Sequence, residues 1–488
     1  MIALQNDLEV GVVLGDNTVV AGRLSASFYG GRSLGGTRFA YDRDYLLNPG
    51  AYALDPKLPL RAGTFQSGED RKIFGAFEDL MPDDWGRRLI QADLAREAGT
   101  RAPIGEFDYL ALASDATRLG SVRFRTIPAG PWLGVAKLTE RGISDIDEIA
   151  AAAARFEQHQ ATDRDLELLG APGSSIGGAR PKVSVSLGGR LRIIKLPSER
   201  DFGIDAEAWE YVAMRLASFA GINVQRGKLV RVGEQKSSLV LDRFDRGSEG
   251  QRLGYISART AMELGEQDHG SVTYEHLADT VGVLVPGRRE QGADLFKRVA
   301  LTVLINNVDD HWKNHGFLRD SVGWGLSPAF DINPSPSRGV VYSRPITAGD
   351  DPRARDIRNL FNSAAAYGLR ADEGAGLIGQ VVAAVKQWPV VATDTGISVA
   401  EIARMSVAFD EDQLGHAARI AGKTGLNRAI VDLGGARPSH LESGRVSGPE
   451  RDSSGAPDSL GSHAAPTVWV RPHARGGKRV EGFRRKKR

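Results

Sequence analysis

The sequence predicts a mixed α+β protein built from three parts and a tail. The first 125 or so residues alternate short strand-like runs with Gly, Asn and Asp turns, a later region predicts further strand pairs, and the chain beyond Gly254 has helical periodicity. A length of 488 residues suggests two to three domains. We expect a small α+β N-terminal subdomain over 1–128, a strand-containing lobe over 129–250, an all-α lobe over 251–437 and a disordered basic tail over 438–488.

Composition places the chain among ordinary globular proteins, with 41% hydrophobic and 25% charged residues. The absence of cysteine excludes disulfides and thiolate metal sites. The segment from Met1 to Asp7 lacks the features of a signal peptide, and no uninterrupted apolar run approaches the twenty residues of a membrane span. These observations predict a cytoplasmic protein without a membrane partner.

Charge is unevenly distributed. The net charge is +2, yet nine Lys or Arg residues against the single Glu481 lie between Arg471 and Arg488, which leaves −6 for the rest of the chain. Such a tail either adds salt-dependent contacts to phosphates or is a solvated extension.

The N-terminal part carries two strand-like runs, Leu8 to Val13 and Val19 to Leu24, and then an amphipathic helical run from Ile73 to Ala98. A helix is also predicted over Asp145 to Gln158. None of these segments contains a constellation of catalytic residues.

A glycine-rich segment opens the second part. It ends in Gly177, Gly178, Ala179, Arg180, Pro181 and Lys182. Its backbone N–H groups can approach an anion closely, and Lys182 adds a positive charge, so a nucleotide phosphate is one ligand that fits. A flexible surface loop is the other interpretation. Two strands follow, Val183 to Leu187 and Leu191 to Leu196, joined by a turn at Gly188-Gly189.

A lysine and a glutamate follow in a strand and a helix. Lys195 lies in the second strand of that hairpin, and Glu210 lies in the next amphipathic helix. Kinases hold nucleotide phosphates with such a pair, although each residue alone is more often a solvated charge. A further strand pair, Gly227 to Val232 and Ser238 to Leu241, runs into Asp242, Arg243 and Phe244, where a hinge between kinase lobes would fall.

In the third part, a polar segment follows the predicted helix Ala293 to Ile305. Asp309 precedes Asn314 by five residues, and Asp331 follows. In kinases these residue types orient the attacking hydroxyl and hold magnesium. A polar turn between a helix and a strand is the alternative for this segment alone. Six kinase elements in the kinase order favour the kinase interpretation. Further helices are predicted over Ala354 to Tyr367, Gly374 to Gln387, Val399 to Phe409 and Glu411 to Arg428.

From Val12 to about Arg428 the chain resembles the HipA family of bacterial serine/threonine-kinase toxins. The resemblance is carried by the motifs Ser175 to Lys182, Ile194 to Pro197, Asp242 to Arg246, Asn307 to Leu318 and Pro328 to Asp331, and by the runs Leu46 to Gly50, Leu58 to Arg61 and Phe77 to Pro82. It implies a HipA-like kinase fold, in which the 129–250 part is the nucleotide-binding lobe, and an activity that depends on ATP and Mg²⁺.

The resemblance also implies roles for single residues. Asp309 is the catalytic base, Asn314 and Asp331 are the magnesium ligands, and Ser175 is the autophosphorylated serine that switches the kinase off. Nucleotide contacts are implied for Gly177, Gly178, Ala179, Arg180, Pro181, Lys182, Lys195, Glu210, Asp242, Arg243, Phe244, His311, Trp312, Lys313 and Asn314. A phosphate on Ser175 would place up to about two negative charges beside a site for anionic ATP.

Partners are implied by the family and not by these residues. The family pairs with a helix-turn-helix antitoxin (HipB-like), contacts DNA only indirectly through it, and phosphorylates a protein substrate such as an aminoacyl-tRNA synthetase. This sequence departs from some members in having Val308-Asp309-Asp310 in place of Thr-Asp-Arg, and its tail after Pro438 has no counterpart.

Three rival interpretations remain. Gly173-Ser174-Ser175-Ile176-Gly177 fits the G-x-S-x-G of a hydrolase, but the residues after it alternate as a strand instead of a helix. His311 and His315 with Asp309 suggest a metal-dependent hydrolase, but the glutamate of H-E-x-x-H is absent. The third is a catalytically silent regulatory subunit bound to a DNA-binding antitoxin.

Overall fold

The computed structural model describes residues 6–98, 103–127, 130–134, 138, 140–170, 179–201, 203–233, 236–265, 271–285, 289–336, 344–352 and 355–422, together with four short strands between 467 and 486. Residues Met1–Ala436 form one compact unit and Arg437–Arg488 a second. The predicted division of the first unit at 128 and 250 therefore stays a prediction.

An antiparallel five-stranded sheet dominates the N-terminal part, with the strand order β4-β3-β2-β1-β5. Its elements are β1 (Asp7–Leu14), β2 (Asn17–Gly30), β3 (Ser33–Tyr41), α1 (Arg43–Leu47), β4 (Thr64–Gln66), α2 (Gly75–Glu78), α3 (Asp84–Ala98), α4 (Asp108–Leu112) and β5 (Val122–Arg125). The two predicted strands are confirmed. The helical run predicted from Ile73 to Ala98 is divided, because Pro82 lacks a backbone N–H and interrupts helical hydrogen bonding.

A second antiparallel sheet follows, with the order β6-β7-β9-β8. Its part of the chain comprises α5 (Ile146–Glu157), α6 (Asp163–Leu169), β6 (Lys182–Leu187), β7 (Arg190–Lys195), α7 (Ala206–Phe219), β8 (Gly227–Val232) and β9 (Lys236–Asp242). The hairpin turns at Gly188 and Gly189, whose φ angles of 63° and 70° are those that a two-residue hairpin turn requires of both positions. The predicted turn is confirmed.

The third part is mainly helical around a small antiparallel sheet of order β10-β11-β12. Its elements are β10 (Gly254–Ser257), α8 (Ala258–Ala261), α9 (Tyr274–Leu284), α10 (Arg289–Leu304), β11 (Gly316–Arg319), β12 (Trp324–Leu326), α11 (Ile357–Asn362), α12 (Ala371–Val385), α13 (Trp388–Asp394), α14 (Val399–Met405) and α15 (Glu411–Gly422). The predicted all-α lobe thus contains three strands as well, of which β11 and β12 lie between Asn314 and Asp331.

Among the described residues, one stretch is long and apolar enough to cross a membrane. It runs from Ala371 to Asp394, across α12 and α13, and half of its apolar window is buried within the protein. Ile378, Val381 and Val385 of this stretch belong to the main hydrophobic core, where they pack with residues of α7 and α10. That burial is typical of a core helix.

The second unit contains β13 (Thr467–Val470), β14 (His473–Arg475), β15 (Lys478–Val480) and β16 (Phe483–Lys486). β13 pairs with β16 and β14 pairs with β15, both antiparallel. These strands differ from the disorder expected for the tail over the residues they cover. The rest of the predicted tail lies outside the described residues.

The hydrophobic core of the first unit continues from the N-terminal sheet into the second sheet. One buried cluster joins Phe39 and Phe77 of the N-terminal part with Ile193 and Leu241 of the second sheet, and it also includes Phe330. The residue before Asp331 is therefore anchored in a core that the N-terminal sheet helps to build.

Candidate active site

A buried lysine joins two carboxylates. Lys195, the last residue of β7, places its Nζ 2.7 Å from both carboxylate oxygens of Glu210 and 2.7 Å from Oδ1 of Asp331. Lys195 and Glu210 are 6% and 4% exposed. The three residues that the sequence assigned to one nucleotide site are thus in direct contact.

The ion pairs determine the charge state of this group. Burial alone would lower the pKa of Lys195, but Asp331 and Glu210 raise it well above its usual value. Burial would raise the pKa of Asp331, but Lys195 holds it well below the usual range. Burial raises the pKa of Glu210, against the opposing effect of Lys195. The site therefore holds an ammonium and an ionised Asp331 at neutral pH.

Backbone geometry presents Asp331 to this lysine. Asp331 has a φ of 56°, in the left-handed region that non-glycine residues rarely occupy. Ala329, two residues before Asp331, is held by two backbone hydrogen bonds to the segment before β8, from Ala329 N to Asn223 O (2.7 Å) and from Gln225 N to Ala329 O (2.9 Å). Positive φ at such a residue is characteristic of functional sites.

The two consecutive aspartates after α10 have opposite environments. Asp309 is exposed, whereas Asp310 is 4% exposed. Asp310 lies 2.9 Å from the His315 ring and accepts hydrogen bonds from the Tyr274 hydroxyl and from Thr302 Oγ1 (3.2 Å). Asp310 therefore anchors the loop internally, and Asp309 is the carboxylate that a substrate can reach.

Electrostatics differ as well between these two residues. Partial desolvation raises the pKa of Asp309, and Asp331 and Asp310 add to this effect, while His311 opposes it. Burial would raise the pKa of Asp310, but His315 holds it well below the usual range. An acid group with a raised pKa in an accessible position has the properties of a general base.

The amide nitrogen and the amide oxygen of Asn314 lie in different environments. Its Nδ2 donates to the backbone oxygen of Asp309 at 2.9 Å, which ties the two residues together. Its buried Oδ1 has no hydrogen-bond partner among the described residues. A buried amide oxygen without a donor fits a metal ligand. Within the described ranges no cluster of three or more His, Cys, Asp or Glu side chains is arranged for a metal. Mg²⁺ needs no such cluster, since one or two protein ligands plus phosphates and water suffice.

The described end of the glycine-rich segment has its charges already engaged. Lys182 Nζ lies 2.5 Å from Asp83 Oδ2, and Arg180 pairs with Asp201 (2.7 Å) and Glu207 (2.8 Å). Lys182 is the direct neighbour of Lys195 across the β6–β7 pairing, on the same face of the sheet. Both lysines therefore face one site. Ser175, Gly177 and Gly178 lie outside the described residues; Ala179 is exposed and Pro181 is buried.

The side chains of the three residues predicted to form a hinge, Asp242, Arg243 and Phe244, make different contacts. Asp242 pairs with Arg192 at the end of β9. The Arg243 guanidinium is buried and binds Asp245 (2.6 Å) and the backbone oxygen of Thr117 (2.9 Å). The Phe244 ring packs against Phe330, with centroids 5.2 Å apart. The Arg243 side chain thus joins the lobe to the N-terminal part, and only its backbone is left to contact a base.

A cavity of about 870 Å³ lies between the N-terminal part and the loop that contains His311 and Lys313. His311 and Lys313 line it from the loop, Ala179 from the glycine-rich segment, and Glu78 and Asp79 from the N-terminal part. Trp312 is buried, with its ring centroid 5.5 Å from that of Tyr274. Two of the four loop residues expected to line a ligand site therefore open to this cavity, and Trp312 faces the interior.

Sequence reasoning missed several residues that support the site. Asp245 is fully buried between Arg243 and Arg246 and accepts the backbone N–H of Gly120 (2.7 Å). Glu78 contacts Lys313 from the N-terminal part. The signal of both residues in the sequence is weak, because Asp245 also binds Gly120 and Glu78 binds Lys313, each of which is far away in the chain.

The rival hydrolase interpretations find little geometric support. The chain after the G-x-S-x-G motif forms the strand β6 and not a helix. His315 is paired with Asp310 and does not join His311 and Asp309 as a metal ligand set.

Comparison with known proteins adds independent findings. The HipA-like C-terminal domain matches residues 174–388 and the HipA N-terminal domain matches residues 17–125. A Haemophilus influenzae protein whose name marks it as a proposed kinase is 25% identical over 207 residues, which is 37% of this chain. The chain spans 60% of the length of that relative.

Solved structures place the fold. HipA of Shewanella oneidensis MR-1, solved in a toxin-antitoxin complex with HipB and operator DNA, is similar with a TM-score of 0.59 and 18% identity, over 85% of this chain and 97% of that one. The Helicobacter pylori proinflammatory kinase CtkA covers 51% of this chain and 94% of its own, with 15% identity and a TM-score of 0.35, which does not establish a shared fold. The predicted α+β, HipA-like fold is confirmed.

Proposed function

This chain belongs to the HipA family, and from that premise we propose that it is an ATP- and Mg²⁺-dependent protein serine/threonine kinase, the toxin of a toxin-antitoxin module. The observation that carries the proposal is the contact of one buried ammonium, on Lys195, with both Glu210 and Asp331. Lys195 and Asp331 are 136 positions apart in sequence, and their contact beside Glu210 supports a shared nucleotide site, because phosphoryl transfer uses a Lys-Glu pair together with a metal-binding Asp.

Residues of this chain fit the cofactors in defined roles. Lys195 offers its ammonium to nucleotide phosphates, and Asn314 Oδ1 and the Asp331 carboxylate would hold Mg²⁺, which neutralises phosphate charge when bound. Lys182, the 177–181 segment and His311 to Lys313 contribute to the nucleotide site, and the backbone at Asp242, Arg243 and Phe244 borders the adenine.

Asp309 acts on the acceptor. Its exposed carboxylate orients the substrate hydroxyl and takes its proton as the hydroxyl oxygen bonds to the γ-phosphorus and the bond to the ADP oxygen breaks. Asn314 holds the Asp309 backbone in place through its hydrogen bond to the Asp309 carbonyl.

Family membership supports proposals for the substrate and the partners. We propose a HipB-like helix-turn-helix antitoxin as the partner, with DNA contacted only through it, and a protein substrate such as an aminoacyl-tRNA synthetase. Ser175 is the proposed site of autophosphorylation. A cytoplasmic location suits these partners. The second candidate is a catalytically silent regulatory subunit of such a complex; the presence of all the nucleotide-handling residues argues against it, and the departure at Val308-Asp309-Asp310 leaves Asp309 and Asn314 in place.

One experiment separates these two functions. Purified protein is incubated with ATP and Mg²⁺ beside Asp309→Asn, and phosphorylated sites are mapped by mass spectrometry. A kinase gives phosphate on Ser175 in the wild type and none in the variant, while both bind ATP. A wild type that binds ATP but transfers no phosphate to itself or to proteins of a cell extract would support the silent subunit.

A further inference from the structure

A carboxylate of the N-terminal part reaches directly into the catalytic loop. Glu78, the last residue of α2, accepts hydrogen bonds from Arg71 (2.5 Å) and from Arg259 of α8 (2.8 Å), and it lies 3.4 Å from Nζ of Lys313. Lys313 is the residue immediately before Asn314. One side chain of the N-terminal part therefore contacts the loop beside its proposed magnesium ligand.

The next residue adds a second link. Asp79 accepts hydrogen bonds from both the backbone N–H (2.7 Å) and the hydroxyl (2.8 Å) of Ser257. Ser257 caps α8, and its hydroxyl accepts the N–H of Thr260. Asp79 thus fixes the position at which the short helix begins.

Helix α8 in turn holds the loop by its backbone. Ala258 N donates to His315 O (2.7 Å), and Arg259 N donates to Trp312 O (3.2 Å). These two carbonyls belong to the residues on either side of the Lys313-Asn314 pair. The loop is therefore held from α8 at Trp312 and His315 and from Glu78 at Lys313.

The ionised carboxylate of Glu78 strengthens its hydrogen bonds, most of all the buried pair with Arg71. Burial alone would raise the pKa of Glu78, but Arg71, Lys313 and Arg259 lower it to about 2. Hydrogen bonds to an ionised carboxylate are about twice as strong as neutral ones. The side chains of Arg71 and Glu78 are largely buried, with 6% and 16% exposure, so solvent screens this pair little.

We infer that Glu78 and Asp79 are positioning residues of the active site, which hold the 309–315 loop so that Asn314 and Asp309 keep the geometry needed for phosphoryl transfer. The inference rests on the proposed kinase function and deepens it. It assigns to the N-terminal part an indirect role in catalysis, exerted through α8 and Lys313 without contact with the reacting atoms.

The main test compares Glu78→Gln with the matched control Glu106→Gln. Glu106 also pairs with an arginine of the N-terminal part, Arg87 (2.7 Å), but among the described residues it forms no hydrogen bond or ion pair with the 309–315 loop. We expect Glu78→Gln to lower kcat at least tenfold and to raise the KM for ATP by only about three- to fivefold, because other groups still hold the nucleotide phosphates. Glu106→Gln should keep the wild-type kcat.

A second readout does not depend on activity. The affinity for an ATP analogue is measured with and without Mg²⁺, and the ratio of the two affinities reports on the metal ligands. We expect this ratio to fall at least threefold in Glu78→Gln and to stay unchanged in Glu106→Gln. A normal ratio with a kcat equal to that of the control would overturn the inference.

Variants of two further residues separate positioning from loss of folding. Arg259→Met should lower kcat like Glu78→Gln, and the double variant should lose little more than either single variant, since both act through one cluster. Independent, multiplicative losses would contradict the inference. If Glu78→Gln does not fold, Asp79→Asn replaces it with the same expected pattern. If the wild type itself transfers no phosphate, the proposed function fails, whereas the affinity ratio still decides on positioning.

Discussion

Replacing Lys195 by Met removes the one ammonium shared by Glu210 and Asp331. Two carboxylates are then left at a site where the lysine and Glu210 are almost wholly buried. Leaving a buried charge without its partner costs about 3–5 kcal/mol. The unit Met1–Ala436 has an unfolding entropy of about 0.9 kcal/mol/K at the average value per residue. The expected fall in Tm is therefore about 3–5 °C at pH 7.5.

The size of this loss depends on pH in a defined direction. Without the ammonium, burial and mutual repulsion raise the pKa values of both carboxylates above their values in the unfolded chain. The native variant then binds more protons than the unfolded variant, so its stability falls as pH rises and the deficit against wild type is smaller at pH 5 than at pH 7.5.

The assay is thermal and urea unfolding at both pH values, with Lys236→Met as the control. Lys236 pairs with Glu199 at 3.5 Å on the surface, where both side chains are about half exposed. Such a pair contributes about 0–1 kcal/mol, so the control should lose about 1 °C or less. Equal losses in the two variants, or a Lys195→Met deficit that grows on acidification, would refute the reasoning.

Three further predictions test other parts of the structure. Asp245→Asn should cost about 3–5 kcal/mol in urea unfolding at pH 7, because it leaves the buried Arg243 and Arg246 without their carboxylate. Burial would raise the pKa of Asp245, but Arg243 and Arg246 hold this pKa well below its usual range. The contribution of Asp245 to folding stability is therefore present above about pH 4 and is lost on further acidification. The stability of the Asn variant should lack this loss below about pH 4. Gly188→Ala should destabilise by about 1 kcal/mol because its φ is 63°, whereas Gly376→Ala, in α12 with open space around it, should stabilise by about 0.5–1 kcal/mol in the same denaturation assay. Asp331→Asn should reduce the effect of Mg²⁺ on ATP affinity measured by calorimetry, and an unchanged effect would remove Asp331 from the proposed metal ligands.

Local patterns were enough to predict the elements that carry the site. Glycines at 188 and 189 between two alternating runs predict a hairpin, and that hairpin sets Lys195 at the end of β7. The helical spacing around Glu210 predicts α7, whose buried face includes this residue. Their contact with Asp331 followed from the order of motifs and not from any local pattern.

The remainder depended on tertiary contacts that no local pattern contains. Asp309 and Asp310 are neighbouring residues of the same type, and only the contacts with Tyr274 and His315 make Asp310 the buried one. Likewise the predicted adenine contact of the Arg243 backbone stays a prediction, and only the structure shows that the Arg243 guanidinium is bound by Asp245 and by the Thr117 backbone from the N-terminal part. Pro82 is the local signal that argues against one continuous helix from Ile73 to Ala98, and the structure divides the helical run at this proline.

The place of Phe330 has a consequence for how this protein can be recombined. Phe330 belongs to the same buried cluster as Phe39 and Phe77, and it immediately precedes Asp331. A chimera that takes its first 128 residues from a different relative would therefore change the side chains of the buried cluster to which Phe330 belongs. Functional hybrids should arise only when Phe330 and its neighbours Phe244 and Tyr255 are exchanged along with the N-terminal sheet.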